Sequence, residues 1–180
     1  SSSNSGTVIA TTGGHQTLNG GNTDAFVAKF NANGVRLWGT YYGGSGNDNA
    51  VSCTSDAMGN VYVTGWTMSN TGTVFATPGA LQTIHGGGYD SFLAKFNSNG
   101  VREWGSYYGG LYMDQGLSCT SDAAGNVYLA GVTGSDAVNI IATTGVHQTT
   151  HGSSTDAFLV KFMSYTTSAL TENMSFDNSS

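Results

Sequence analysis

His147-Gln-Thr-Thr-His151 has the i, i+4 spacing by which two imidazoles grip a metal ion from one side of a helix. The stretch is rich in Gly and Thr without helical periodicity, and the corresponding pairs elsewhere are His15 with Asn19 and Leu81 with His85. Structural or surface histidines are expected, and no metal centre is assigned. Aspartates form a second set. Asp24, Asp90 and Asp156 each end a Gly/Ser/Thr-rich segment, Asp48 and Asp114 sit in short links, and Asp56 and Asp122 each open a turn of the form Asp-Ala-x-Gly-Asn. Hard oxygens on loops suit calcium. An Asp ahead of Gly-Asn also caps its own turn amides, and the recurring Lys29, Lys95 and Lys161 offer the first three aspartates structural ion pairs between repeats. The structural reading leads, calcium stands second to it, and no other cofactor is expected.

Catalytic signatures are missing. There is no Gly-x-Ser-x-Gly elbow, no phosphate-binding glycine loop ahead of a helix and no Cys-x-x-Cys. Glycoside hydrolysis needs two facing carboxyl groups, yet the only glutamates are Glu103 and Glu172 and no acidic pair singles itself out. Cys53 and Cys119 lie in matching runs, Val51-Ser-Cys-Thr54 and Leu117-Ser-Cys-Thr120, the setting of buried free thiols and not of a disulfide framework. A non-enzymatic protein is expected.

A repeat places these residues. Asp24-Ala-Phe-Val-Ala-Lys-Phe30 returns as Asp90-Ser-Phe-Leu-Ala-Lys-Phe96 and again as Asp156-Ala-Phe-Leu-Val-Lys-Phe162, each 66 residues after the last. Gln16, Gln82 and Gln148 keep the same offset, as do the two cysteines and Gly59-Asn60-Val61-Tyr62 with Gly125-Asn126-Val127-Tyr128. The 180 residues are 38% hydrophobic, enough for a core, but only 9% are charged and five are Lys or Arg. That is too few to wet the outer faces of long amphipathic helices, so an all-β chain rich in turns fits better. A formal charge of −6 without a basic patch argues against nucleic acid. No apolar run is long enough for a membrane span, and Ser1-Ser-Ser-Asn-Ser5 has no signal-peptide pattern, as a processed chain would also lack.

Alternation predicts a strand over 25–30 with Phe26, Ala28 and Phe30 on one face, then a hairpin turn at Asn31-Ala-Asn-Gly34. The return strand spans 35–42 and carries Trp38, Tyr41 and Tyr42. A third strand over 49–54, a tight turn over 56–60 and a fourth strand over 61–66 complete the pattern, which the next copy repeats. Segments 67–89 and 133–155, like 1–23, read as ordered loops.

Four short antiparallel strands per unit describe a propeller blade. The wording Asp-Ala-Phe-Val-Ala-Lys-Phe-Asn-x-Asn-Gly-Val-Arg-x-Trp-Gly-(Thr/Ser)-Tyr-Tyr-Gly-Gly, followed by Asp-Ala-x-Gly-Asn-Val-Tyr, resembles the bacterial β-propeller repeat called SBBP over residues 7–162. The resemblance implies a secreted or surface-exposed bacterial repeat protein and brings no catalytic motif. By similarity to other propellers, 49–110 make one complete blade. Residues 24–44 then supply the outer half of a preceding blade, and 115–162 supply three strands of a following one. Residues 163–180 leave the repeat as a polar tail similar to the spacer ahead of the sorting domain of type IX secretion cargo, which agrees with an extracellular or outer-surface location. Bare blade faces would expose Phe, Tyr and Trp. A head-to-tail homo-oligomer is therefore expected, the inner strands at the end of one chain completed by the outer strands at the start of the next. The other reading is a piece of a longer propeller.

Antiparallel strands gather the tight turns on one rim and the long or variable links on the other, and the second rim is the expected binding surface. The copies diverge there: Ser45-Gly46-Asn47 stands against Leu111-Tyr112-Met113, and Trp66 against Val132. Trp66, Leu111, Tyr112 and Met113, with Asp48 and Asp114, are the candidate ligand-binding residues, an aromatic platform for a sugar or a surface protein. The competing reading packs them beneath the loops. A structural or binding module is the expected function, with a carbohydrate-binding, lectin-like adhesin as the alternative.

Overall fold

The computed structural model describes residues 9–70, 74–136, 141–152 and 154–163. The tail beyond Met163, Glu172 included, lies outside the described residues. The chain is all-β: β1 (Ala25–Phe30), β2 (Arg36–Tyr42), β3 (Asp48–Ser55), β4 (Val61–Thr67), β5 (Asp90–Phe96), β6 (Arg102–Tyr108), β7 (Asp114–Ser121), β8 (Val127–Thr133) and β9 (Asp156–Phe162). They form three sheets in chain order, β1-β2, β3-β4-β5-β6 and β7-β8-β9, with every pairing antiparallel.

Turn chemistry sets the hairpins. Asn31 Oδ1 accepts the amides of Asn33 and Val35 at 3.0 and 2.9 Å, and Gly34 takes φ +74°, a conformation that disfavours any Cβ. At the β3–β4 turn Asp56 accepts from the Met58 and Asn60 amides, the Asn60 side chain and the Tyr62 hydroxyl. Burial pushes the Asp56 pKa up, but these bonds, Asn60 foremost, outweigh it and hold the carboxyl below its ordinary value.

The sheets stack face to face through two equivalent seams. In the first, Ala25, Val27, Trp38 and Tyr42 pack on Val61, Val63, Phe92, Phe96 and Tyr107. In the second, Tyr62, Leu93 and Tyr108 pack on Cys119, Val127, Leu129, Phe158 and Phe162. Tyr42 meets Phe92 and Phe96 edge-on, each at 5.5 Å between centroids; Tyr108 meets Phe158 at 5.1 Å and Phe162 at 6.2 Å. Alternation gives the strands two apolar faces, so the second sheet serves one seam on each side.

The long segment before β5 does more than connect. Thr77 N donates to Gly105 O at 2.9 Å and Tyr107 N to Gln82 O at 3.1 Å, so the segment runs along β6, and Phe75 is fully buried in the first seam. Thr11 N to Gly39 O and Tyr41 N to Gln16 O repeat the arrangement along β2.

Two expectations need correction. Cys53 is exposed, although its counterpart Cys119 is buried. Among the described residues no lysine pairs with the repeated aspartates: Lys29 donates to the carbonyls of Gly59 and Ser98, Lys95 lies 2.8 Å from Glu103 and over the Tyr62 ring, and Lys161 lies over the Tyr128 ring. Asp and Lys stand at opposite ends of one strand, about 17 Å apart at the rise of an extended chain.

Candidate functional site

Register brings the start of β3, the end of β4 and the start of β5 to one rim, because Asp48 faces Thr67 and Thr67 faces Asp90. The end of β6 joins them, Tyr108 facing Ser91. Two layers of side chains lie there.

The inner layer is acidic and fully buried. Asp48 accepts from the Thr67 hydroxyl, from Ser69 Oγ at 2.8 Å and from Gly44 N at 2.7 Å, and Asp114 repeats the set with Thr133, Ser135 and Gly110. Both carboxylates are fully buried and spend their oxygens clasping the link onto the strand end. Both were expected among the ligand-binding residues, and here their oxygens bond to groups of the chain itself. Asp90 Oδ2 accepts from Gln82 Nε2 at 3.1 Å and Gly86 N at 2.7 Å, whereas its buried Oδ1 has no hydrogen-bond partner among the described residues. A Cβ on Gly109 would lie 2.8 Å from that Oδ1 and 3.0 Å from Asp114 Oδ2, so both carboxyl groups lie beside Gly109 at the second seam. Burial drives the Asp90 pKa up to about 6; the Gly86 amide and His85 oppose this, and the Asp114 charge adds to it. Asp24 is raised in the same sense, by burial first and with Asp48 contributing, against Gly20 and Gln16. Sequence reasoning missed this pairing. Its signal was there: Asp24 to Asp48 and Asp90 to Asp114 are the same distance along the chain.

The outer layer is aromatic. Trp66 is half-buried and meets the Tyr89 ring edge-on at 4.9 Å, and the Tyr89 backbone bridges that of Met113. Leu111 and Tyr112 are exposed on the same link, Met113 less so, and Tyr112 N is held by Ser135 Oγ at 2.9 Å. Trp66, Tyr89 and Met113 therefore form one string from the second sheet toward the third. Tyr89 was overlooked, though the other copies carry Thr23 and Thr155 at its position.

The histidines separate. His147 is exposed, while His151 Nε2 lies 3.2 Å from Thr133 O and Nδ1 3.4 Å from Asp136. The counterpart of His151 is His85, whose Nε2 lies 3.1 Å from Thr67 O. His15 packs 6.0 Å from Tyr42 and from Phe96, and burial, helped by Arg102, lowers its pKa. Among the described residues no three His, Cys, Asp or Glu side chains converge on one point as a metal cluster.

The two ends of the stack are a second candidate surface. Phe26 and Phe30 of β1 are 51% and 58% exposed, whereas Phe92 and Phe96 at the same repeat positions are fully buried. At the other end Leu159 is 73% exposed where Leu93 is fully buried. Cys119 is covered by the second sheet, its thiol 3.8 Å from Tyr62 O and its amide donating to Ser52 Oγ at 3.3 Å, and burial pushes its pKa up to about 11. Cys53 points from β3 toward the first sheet, which among the described residues has only β1 and β2 and nothing to cover it. A scan against models of known protein families finds no match to the chain, and a search of curated proteins finds none either.

Proposed function

We propose that the chain is a non-enzymatic structural module of β-propeller blades, secreted or displayed on a bacterial surface, that stacks head to tail with further copies into a ring or filament. One observation carries this reading. The half-seam bared at one end, Phe26 and Phe30, is the same set that β5 buries, and Leu159 at the other end matches the buried Leu93. Unlike faces that fit each other make a heterologous contact, which closes into a ring or runs on as a fibre, and stacked repeats gain stability from each such interface. Light scattering of the 180-residue chain over a concentration series tests it. Mass should rise with concentration, and Phe26→Ser with Phe30→Ser should lower it. A folded wild-type monomer at every concentration overturns the reading.

A second reading, a carbohydrate-binding module on the long-link rim, is favoured by the Trp66–Tyr89 pair beside the exposed Tyr112. Glycan-array binding that disappears in Trp66→Ala supports it, and a silent array counts against it.

A further inference from the structure

Simple stacking leaves one feature of the fold uncovered. If the bare face of β1-β2 lay on the bare face of the third sheet, Phe26 and Phe30 would be buried, but Cys53 and the face of β3 around it would still have no inner strands opposite. Cys119 shows what belongs there. It is covered by the β3-β4 pair of the second sheet, through Ser52 and the Tyr62 carbonyl. The equivalent cover for Cys53 is a β7-β8 pair, with Tyr128 at the position of Tyr62. Within one chain that pair is at the far end of the stack.

The remaining obstacle is β9, which occupies the edge of β8. Its hold is not specific to it. β8 pairs with β9 from Val127–Phe162 to Thr133–Asp156, the register that β4 keeps with β5 from Val61–Phe96 to Thr67–Asp90. Five of the seven residues from Asp24 to Phe30 are identical to those from Asp156 to Phe162. β1 therefore fits the β8 edge in the same register and brings β2 with it as the fourth strand. Among the described residues β1 pairs only with β2 and β9 only with β8, so each offers an unpaired backbone edge.

Resting on the reading of the chain as a head-to-tail module, we propose that copies join by strand exchange, the β1-β2 hairpin of one chain displacing β9 from β8 of another. The ladder lost and the ladder gained are alike. Phe26 and Phe30 take the seats of Phe158 and Phe162, and the joint sheet β7-β8-β1-β2 covers Cys53 of the incoming chain. Each chain then contributes two complete four-stranded sheets, and β9 acts as an internal placeholder that slows assembly.

The test staples β9 in place. Val132 and Ala157 are direct cross-strand partners, a spacing that a disulfide spans. Val132→Cys with Ala157→Cys, in a Cys53→Ser background, is oxidised with glutathione disulfide, and its mass is followed by light scattering before and after reduction. Circular dichroism melts of both forms check folding. The oxidised form is expected to stay monomeric and the reduced form to assemble. In assembled wild-type chain, Cys53 is expected to lose its reactivity toward a maleimide. Equal assembly of the stapled and reduced forms, or an open Cys53 in assembled material, overturns the exchange and leaves stacking with β9 in place. Wild-type chain that never assembles overturns the head-to-tail reading itself, and the exchange with it.

Discussion

At the scale of single residues, the burial of the Asp90 carboxyl gives the fold a pH dependence. The Asp90 carboxyl ionises at about 6 in the folded chain against a reference value of 3.8. Between those values the folded state holds the proton more tightly than the unfolded one. Its contribution is therefore fully present below about pH 4 and is lost as pH rises through 6. Two pKa units correspond to at most about 3 kcal/mol. Asp56 works in the opposite direction, its stabilisation being lost as pH falls below 3.8. Asp90→Asn keeps an oxygen for Gln82 and Gly86 and replaces Oδ1 with an amide donor. Thermal melts should show a flatter profile between pH 4 and 6 and a higher Tm at pH 7 than wild type. A lower Tm at every pH would mean that Oδ1 carries no penalty. The aspartates were legible in sequence as turn and link residues, because capping is local. Their meeting was not, since Asp90 and Asp114 belong to different sheets.

At the scale of elements, two glycines separate backbone strain from crowding. Gly34 has open space around its missing side chain and a φ of +74°, so Gly34→Ala should cost roughly 1–2 kcal/mol through conformation alone. Gly105 is limited by its neighbours: a Cβ there would run into the Phe75 carbonyl and lie 2.7 Å from the Tyr42 hydroxyl. Gly105→Ala should cost roughly 1–3 kcal/mol by overpacking. It should also lift the segment off β6, read as faster hydrogen exchange at the Tyr107 amide, while Gly34→Ala leaves that amide protected. The strands themselves were readable: the spans expected at 25–30 and 61–66 are observed as Ala25–Phe30 and Val61–Thr67, because period-2 alternation and Asn-Gly or Gly-Asn turns act over a few residues. The role of Phe75 was not readable, because the burial of a Gly/Thr-rich segment depends on Tyr42 of another sheet.

At the scale of the whole molecule, the cysteines report the seams. Maleimide should label Cys53 of the dilute folded chain quickly and leave Cys119 unmodified until denaturant opens the second seam, after which the two should react alike. Rapid labelling of both in the folded chain would show that the second and third sheets do not stack. The two thiols sit in nearly the same words, Ser-Cys-Thr-Ser-Asp-Ala, and reading those words predicted burial for both. Local sequence alone determined the repeat, the strands, the turns and the two-faced apolar pattern, because each arises from dihedral preference and side-chain alternation within a short stretch. Only the tertiary structure decided which copy of each face is covered, which carboxyl groups meet and which edges stay open. Those properties depend on the sheet lying opposite, and identical repeats have different neighbours.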